Sequence, residues 1–171
     1  MVNLRKTLRE AHRVLEEQGI SHALIGGLAL GSYGVHRATV DIDFLAAGSK
    51  KEEIKKALIG VGFQLRHESD EVLQFEGLGL LDILLANRPL SLSMLKAARN
   101  QPKLDVYVLR AEDLIGLKIQ AYKNDSSREF QDKADIQSLL RQNPKLDMSL
   151  IKHYADLFDE WPVIEALEKS I

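Results

Sequence analysis

Three aspartates carry the chemistry that this sequence can do. Asp41 and Asp43 stand two residues apart in the segment TVDIDFL, spanning 39–45. Val40, Ile42 and Phe44 alternate with them, the pattern of a strand with one apolar and one acidic face. Both carboxylates then project from one face, roughly 7 Å apart at Cα. Carboxylates held this close repel unless a cation bridges them. Hard oxygen ligands suit Mg²⁺, which takes a few carboxylates and completes its shell with substrate phosphates and water. An isolated Asp-x-Asp is also an ordinary acidic edge facing solvent. Asp82 adds a third acid inside the otherwise apolar run LGLLDILL. An aspartate buried there without a partner is costly, so it either points outward at a sheet edge or joins a charged site. If its strand neighbours the one with Asp41 and Asp43, the three carboxylates converge. Such a triad can hold two cations about a phosphoryl group, one favouring the attacking oxygen and one the leaving group.

Upstream, Gly26 and Gly27 end a short apolar strand over 21–25 and lead into a short helix over 28–33. A glycine pair there lets backbone N–H groups and the helix N-terminus approach a phosphate. By itself such a pair is weak evidence of phosphate binding and reads first as a tight turn. Gly-Gly, thirteen further residues, Asp41 and Asp43 on a strand, and Asp82 on a later strand resemble the nucleotidyltransferase superfamily, whose palm includes DNA polymerase beta. More narrowly, Gly26, Gly27, Ala29 and Leu30, followed by Arg37, Thr39, Asp41, Ile42, Asp43 and Phe44, look like the AbiEii-type nucleotidyltransferases. Those include toxins of toxin–antitoxin pairs. The close match runs from Gly26 to Phe44, and a looser one extends to Glu112–Leu140. Many superfamily members carry Gly-Ser at the turn, the serine hydroxyl contacting phosphates. Here the second position is Gly27, as in the AbiEii-like set, and Ser32 is the candidate hydroxyl. The Gly-Ser-x-Ala-Arg-Gly run of the small antitoxin-type members is absent.

The resemblance implies an enzyme that moves a nucleoside monophosphate from a triphosphate to an acceptor hydroxyl, with Mg²⁺ as cofactor. Asp41 and Asp43 would hold the metals, and Asp82 would complete the second site and help deprotonate the acceptor. Gly26, Gly27 and Lys118 would hold the outer phosphates. Arg37, four residues before Asp41, suits a bidentate phosphate clamp or an aspartate brace. Lys118 shares a helix face with Ile115 and Tyr122, so it either snorkels out or reaches into a site. Arg128, Asp132 and Asp135 form one stripe on the next helix, at the edge of the buried surface. The resemblance gives an acid there a supporting role, paired with Lys118 or Arg128; an intrahelical ion pair is the plainer reading. An RNA end is expected as acceptor slightly ahead of a protein hydroxyl, with an antitoxin as a partner protein. A nucleotide-binding module without turnover is the alternative.

Elements must position these residues. Amphipathic helices are expected over 3–18 and 50–60, strands over 63–67, 71–75, 78–85 and 104–109, and a helix over 91–98. Beyond 111 the pattern is helical: 112–123, 128–141, 148–158 and 161–169. The expected fold is α+β, a nucleotidyltransferase-type mixed β-sheet with flanking helices. Residues 1–110 form the core and 111–171 a C-terminal helical region packed on it. The 171 residues are 45% hydrophobic, enough to fill a core. Lysine and arginine number 23 against 25 acids, net −2, so no whole-molecule field draws a polyanion. The absence of cysteine excludes disulfides, cysteine nucleophiles and thiolate zinc sites. No signal core or apolar run of about 20 residues occurs, so a cytoplasmic location away from membranes is expected. The five histidines, His12, His22, His36, His67 and His153, show no paired ligand spacing and read as surface or packing residues. Lys50, Lys51, Lys55 and Lys56 are a local basic cluster, ordinarily a solvated helix face.

Overall fold

The structure is a computed structural model that describes residues 3–171. Asn3 caps the first helix, α1 (Leu4–Glu17), its side chain accepting from the Lys6 amide. Leu8, Ala11, Val14 and Leu15 recur at the helical period and are all buried, so α1 presents one apolar stripe to the core. β1 (His22–Ile25) is buried throughout. α2 (Gly26–Gly31) begins directly at its end. The glycines are thus the first turn of the helix, two residues earlier than the sequence suggests.

β2 (Asp41–Ala47), α3 (Lys51–Gly60), β3 (Gln64–Glu68), β4 (Val72–Glu76) and β5 (Leu80–Ala86) follow. Then come α4 (Pro89–Lys96), β6 (Arg99–Gln101) and β7 (Val106–Val108). Among the described residues the strands form one seven-stranded sheet in the order β3-β4-β5-β2-β1-β7-β6. β2 runs parallel to β5 and β1 to β7, and the other neighbours are antiparallel. The sheet is therefore mixed, as expected. β6 was not expected: Arg99, Asn100 and Gln101 show no apolar alternation, and only backbone pairing with β7 makes them a strand. The strand expected over 104–109 shortens because Leu104 and Asp105 turn back onto the Gln101 carbonyl, with Asp105 at φ 56. Val40, expected on the apolar face of β2, precedes the strand and is 61% exposed.

The chain divides into two compact units, Met1–Ala29 with Arg37–Leu109, and Leu30–His36 with Arg110–Ile171. In the first, Leu15, Leu24, Phe44, Ile54, Leu58, Phe63, Phe75 and Leu81 are buried in the core. Each such side chain contributes about 1.5–3 kcal/mol by leaving water. The second holds α5 (Ala111–Asn124), α6 (Glu129–Gln142), α7 (Met148–Asp156) and α8 (Trp161–Lys169). α5 packs on α6 and α7, and α8 packs on the same two helices. Asn143 donates its side-chain amide to the Tyr33 carbonyl at 3.0 Å, which ties 30–36 to this unit. Among the described residues no helix is long and apolar enough to cross a membrane.

Candidate active site

The parallel ladder of β2 and β5 sets Asp43 beside Asp82 and Asp41 beside Leu80. Register partners in a ladder share a face, with strands about 4.8 Å apart. Asp82 therefore stands next to Asp43, and Asp41 follows two residues along on that face. β5 is internal, between β4 and β2, so the sheet-edge alternative for Asp82 falls away. On the opposite face Ile42, Phe44, Leu81 and Ile83 are fully buried, which fixes both strands beneath the acids. All three carboxylates are half-buried.

Neutral groups support two of them. Thr39 Oγ1 donates to Asp41 Oδ1 at 2.8 Å, and Gln74 Nε2 donates to Asp82 Oδ2 at 3.1 Å. Gln74 is the register partner of Asp82 on β4. Burial pushes the Asp82 carboxyl above its ordinary range; the Gln74 bond opposes this and the Asp41 charge adds to it. Gln74 was not read from the sequence, although a glutamine alternating with Leu73 and Phe75 marks a polar position beside the acidic face.

The glycines have a reason inside the chain. Gly26 sits at φ 66, where other residues are strained, and a Cβ on it would overlap the Asp43 carboxylate. A Cβ on Gly27 would lie 2.8 Å from Thr39 Oγ1 and 3.5 Å from Arg37 Cζ. The pair therefore lets the start of α2 close onto Asp43, Thr39 and Arg37. The exposed Arg37 guanidinium lies at this turn and donates to the Ala38 carbonyl.

The remaining predicted residues belong to the second unit. Lys118 Nζ lies 2.8 Å from Asp132 Oδ1 and 2.6 Å from Asp135 Oδ2, with all three side chains at most 9% exposed. Arg128 Nε reaches Asp132 Oδ2 at 3.1 Å. The expected pairing of this acid stripe with Lys118 and Arg128 is present. The two aspartates, however, are inside the core and not at its edge, because α5 brings an ammonium to meet them. Ser32 Oγ is buried and has no hydrogen-bond partner among the described residues. Asp113 passed unnoticed in the sequence. It is fully buried, takes two bonds from Arg110 at 2.7 and 2.9 Å, and accepts from the Tyr154 hydroxyl.

The basic cluster is largely neutralised. Lys50 pairs with Glu53, Lys51 with Glu68, and Lys55 with both Glu52 and Glu68. As a donor set, three convergent carboxylates fit a hard divalent cation such as Mg²⁺, and the raised proton affinity of Asp82 reflects burial together with negative charge collected on one face.

No model of a known protein family matches the chain, and no curated protein matches it. Its fold, however, is similar to solved nucleotidyltransferases. The antibiotic-resistance factor ANT(2'')-Ia aligns over 98% of this chain and 97% of its own, with a TM-score of 0.68 and 16% identity. A second structure of that protein holds adenylyl-2''-tobramycin. An antigenic nucleotidyltransferase-like protein from Paracoccidioides brasiliensis covers 96% of this chain and 91% of its own, at 0.59 and 18%. The Megavirus polyadenylate synthase matches 84% of this chain but 33% of its own, at 0.53 and 13%. At these identities the likeness establishes the fold, α+β of nucleotidyltransferase type.

Proposed function

We propose that this chain is a Mg²⁺-dependent nucleotidyltransferase that moves a nucleoside monophosphate from a triphosphate to an acceptor hydroxyl. The observation that carries the proposal is the register placing Asp82 beside Asp43, with Asp41 on the same face. Asp41 and Asp43 hold the metal, and Asp82 completes the site. When bound, the ion neutralises charge developing on the phosphoryl group. Asp82, whose carboxyl already holds a proton more readily than usual, receives the proton of the acceptor hydroxyl. Gly26 and Gly27 present backbone to the phosphates, and Arg37 at the same turn clamps them. The phosphate contact that the AbiEii-type resemblance implies for Lys118 requires its ammonium to be shared with, or drawn from, Asp132 and Asp135. The reaction belongs in the cytoplasm, where triphosphates and Mg²⁺ are supplied.

Three acceptors are to be separated: an RNA end, a small-molecule hydroxyl and a protein hydroxyl. The AbiEii-type resemblance points to an RNA end, with a toxin role and an antitoxin partner. A small-molecule hydroxyl is favoured by two observations. The chain spans nearly all of ANT(2'')-Ia but a third of the polyadenylate synthase, and Lys50, Lys51 and Lys55 of the basic cluster are engaged with glutamates. The test incubates the protein with each α-labelled triphosphate, Mg²⁺ and cell extract. Label in the small-molecule fraction supports this second reading. Label destroyed by ribonuclease supports RNA, and label destroyed by protease supports a protein hydroxyl. No label with any triphosphate refutes transfer and leaves a nucleotide-binding module.

A further inference from the structure

On the face of β2 away from the acids, the Phe44 ring meets His22 edge-on, with centroids 5.2 Å apart. His22, at the start of β1, is 7% exposed. Its Nδ1 lies 2.7 Å from the Ile20 carbonyl oxygen. A carbonyl only accepts, so Nδ1 carries the proton and Nε2 keeps its lone pair. That lone pair points at His12 Nδ1, 2.7 Å away on α1. Glu16 lies one turn after His12 on the same helix face, and one donor atom from each of His12, Glu16 and His22 falls within 4.8 Å of the others. The mixed His-x-x-x-Glu spacing is visible in the sequence, but the third ligand arrives only when β1 folds against α1.

We infer that His12, Glu16 and His22 form a second cation site, distinct from the carboxylate face, that takes Zn²⁺ or a similar borderline-soft ion. Two imidazoles and a carboxylate are a zinc donor set, and a fourth position stays open to water. A zinc-ligating histidine ordinarily donates its other ring nitrogen to a carbonyl or carboxylate; the His22 bond to Ile20 provides this in advance. Two nitrogens at about 2.05 Å from a tetrahedral ion stand about 3.3 Å apart, so the imidazoles must separate slightly on binding. His22 is held by burial, whereas half-buried His12 and exposed Glu16 are free to adjust. Binding replaces the His12–His22 hydrogen bond: the proton on His12 Nδ1 moves to its Nε2, and the freed lone pair joins the ion. The ion then clamps α1 to β1. The site does not rest on the nucleotidyltransferase reading.

The test is a zinc titration of tag-free protein by calorimetry and thermal melting, alongside Asp43→Asn, His12→Gln and Glu16→Gln. The latter two keep the buried His22 and hence the packing. Expected are one zinc per chain and a midpoint raised by about 5–10 °C at hundredfold excess over Kd. Asp43→Asn should retain both effects, while His12→Gln and Glu16→Gln should weaken binding by about tenfold or more. No zinc binding by the parent protein would overturn the site, and so would binding left intact in both α1 variants. Binding lost in Asp43→Asn but kept in His12→Gln would overturn it too, assigning the ion to the carboxylate face.

Discussion

Acids gather at two places in this protein, and they differ in what answers their charge. On the sheet, Asp41 and Asp82 accept from Thr39 and Gln74, which are neutral. In the helical unit, Asp132 and Asp135 close on the Lys118 ammonium, and Asp113 takes a two-bond fork from Arg110. Removing one partner of a buried pair strands the other, so the helical acids are bound up with folding. The Thr39 and Gln74 bonds hold Asp41 and Asp82 in place without adding a countercharge, and the three carboxylates on one face remain a donor set suited to an external cation. On the proposed function, the difference separates acids that serve the fold from acids that would serve a ligand, although both groups occupy half-buried or buried positions.

The largest expected effect tests the ligand half of this contrast. Asp41→Asn and Asp43→Asn should each lower nucleotidyl transfer by on the order of 10³-fold, the several kcal/mol of charge stabilisation a metal supplies. Circular dichroism should be unchanged. Full activity in either variant would reduce the acidic face to an ordinary surface. Next, Lys118→Ala should destabilise the protein by about 3–5 kcal/mol in urea denaturation, because two buried carboxylates lose the ammonium they share, with only the half-exposed Arg128 still at Asp132. Adding Asp132→Asn and Asp135→Asn to a Lys118→Met background should restore most of that loss. A cost below about 1 kcal/mol, the range of an exposed pair, would break the comparison from the other side.

The smallest effect concerns Asp82 in metal-free protein. Its carboxyl is raised in the folded state, so between the unfolded and folded pKa values the native chain binds more protons than the unfolded one. Its contribution to stability therefore falls as pH rises through that window and is least favourable above it. Asp82→Asn removes this penalty and should raise the melting temperature slightly at neutral pH. The advantage over the parent protein should shrink as pH falls through the folded pKa. Saturating Mg²⁺ should stabilise the parent and leave Asp43→Asn unmoved. A variant less stable than the parent at neutral pH would mean that Asp82 is already compensated.

Much of the sheet face was legible because strand alternation is a local property. The period of two put Asp41 and Asp43 on one side and Ile42 and Phe44 on the other, and the structure keeps that division. The glycine pair was legible as a special turn, since Gly26 needs a backbone conformation that other residues resist. What the pair makes room for was not, because Asp43 and Thr39 come from the next strand. Strand order alone placed Asp82 beside Asp43 and removed its edge alternative. β6 escaped notice since Arg99, Asn100 and Gln101 become a strand only through pairing with β7. In the same way, the stripe of Arg128, Asp132 and Asp135 was visible at helical spacing, but its burial depended on Lys118 arriving from another helix. Periodicity and special backbone angles are written into a few consecutive residues. Partners for charge, and the neighbours of a strand, depend on loop closures between distant residues, so only the tertiary structure decided that Asp132 and Asp135 meet the Lys118 ammonium and that Asp82 stands beside Asp43.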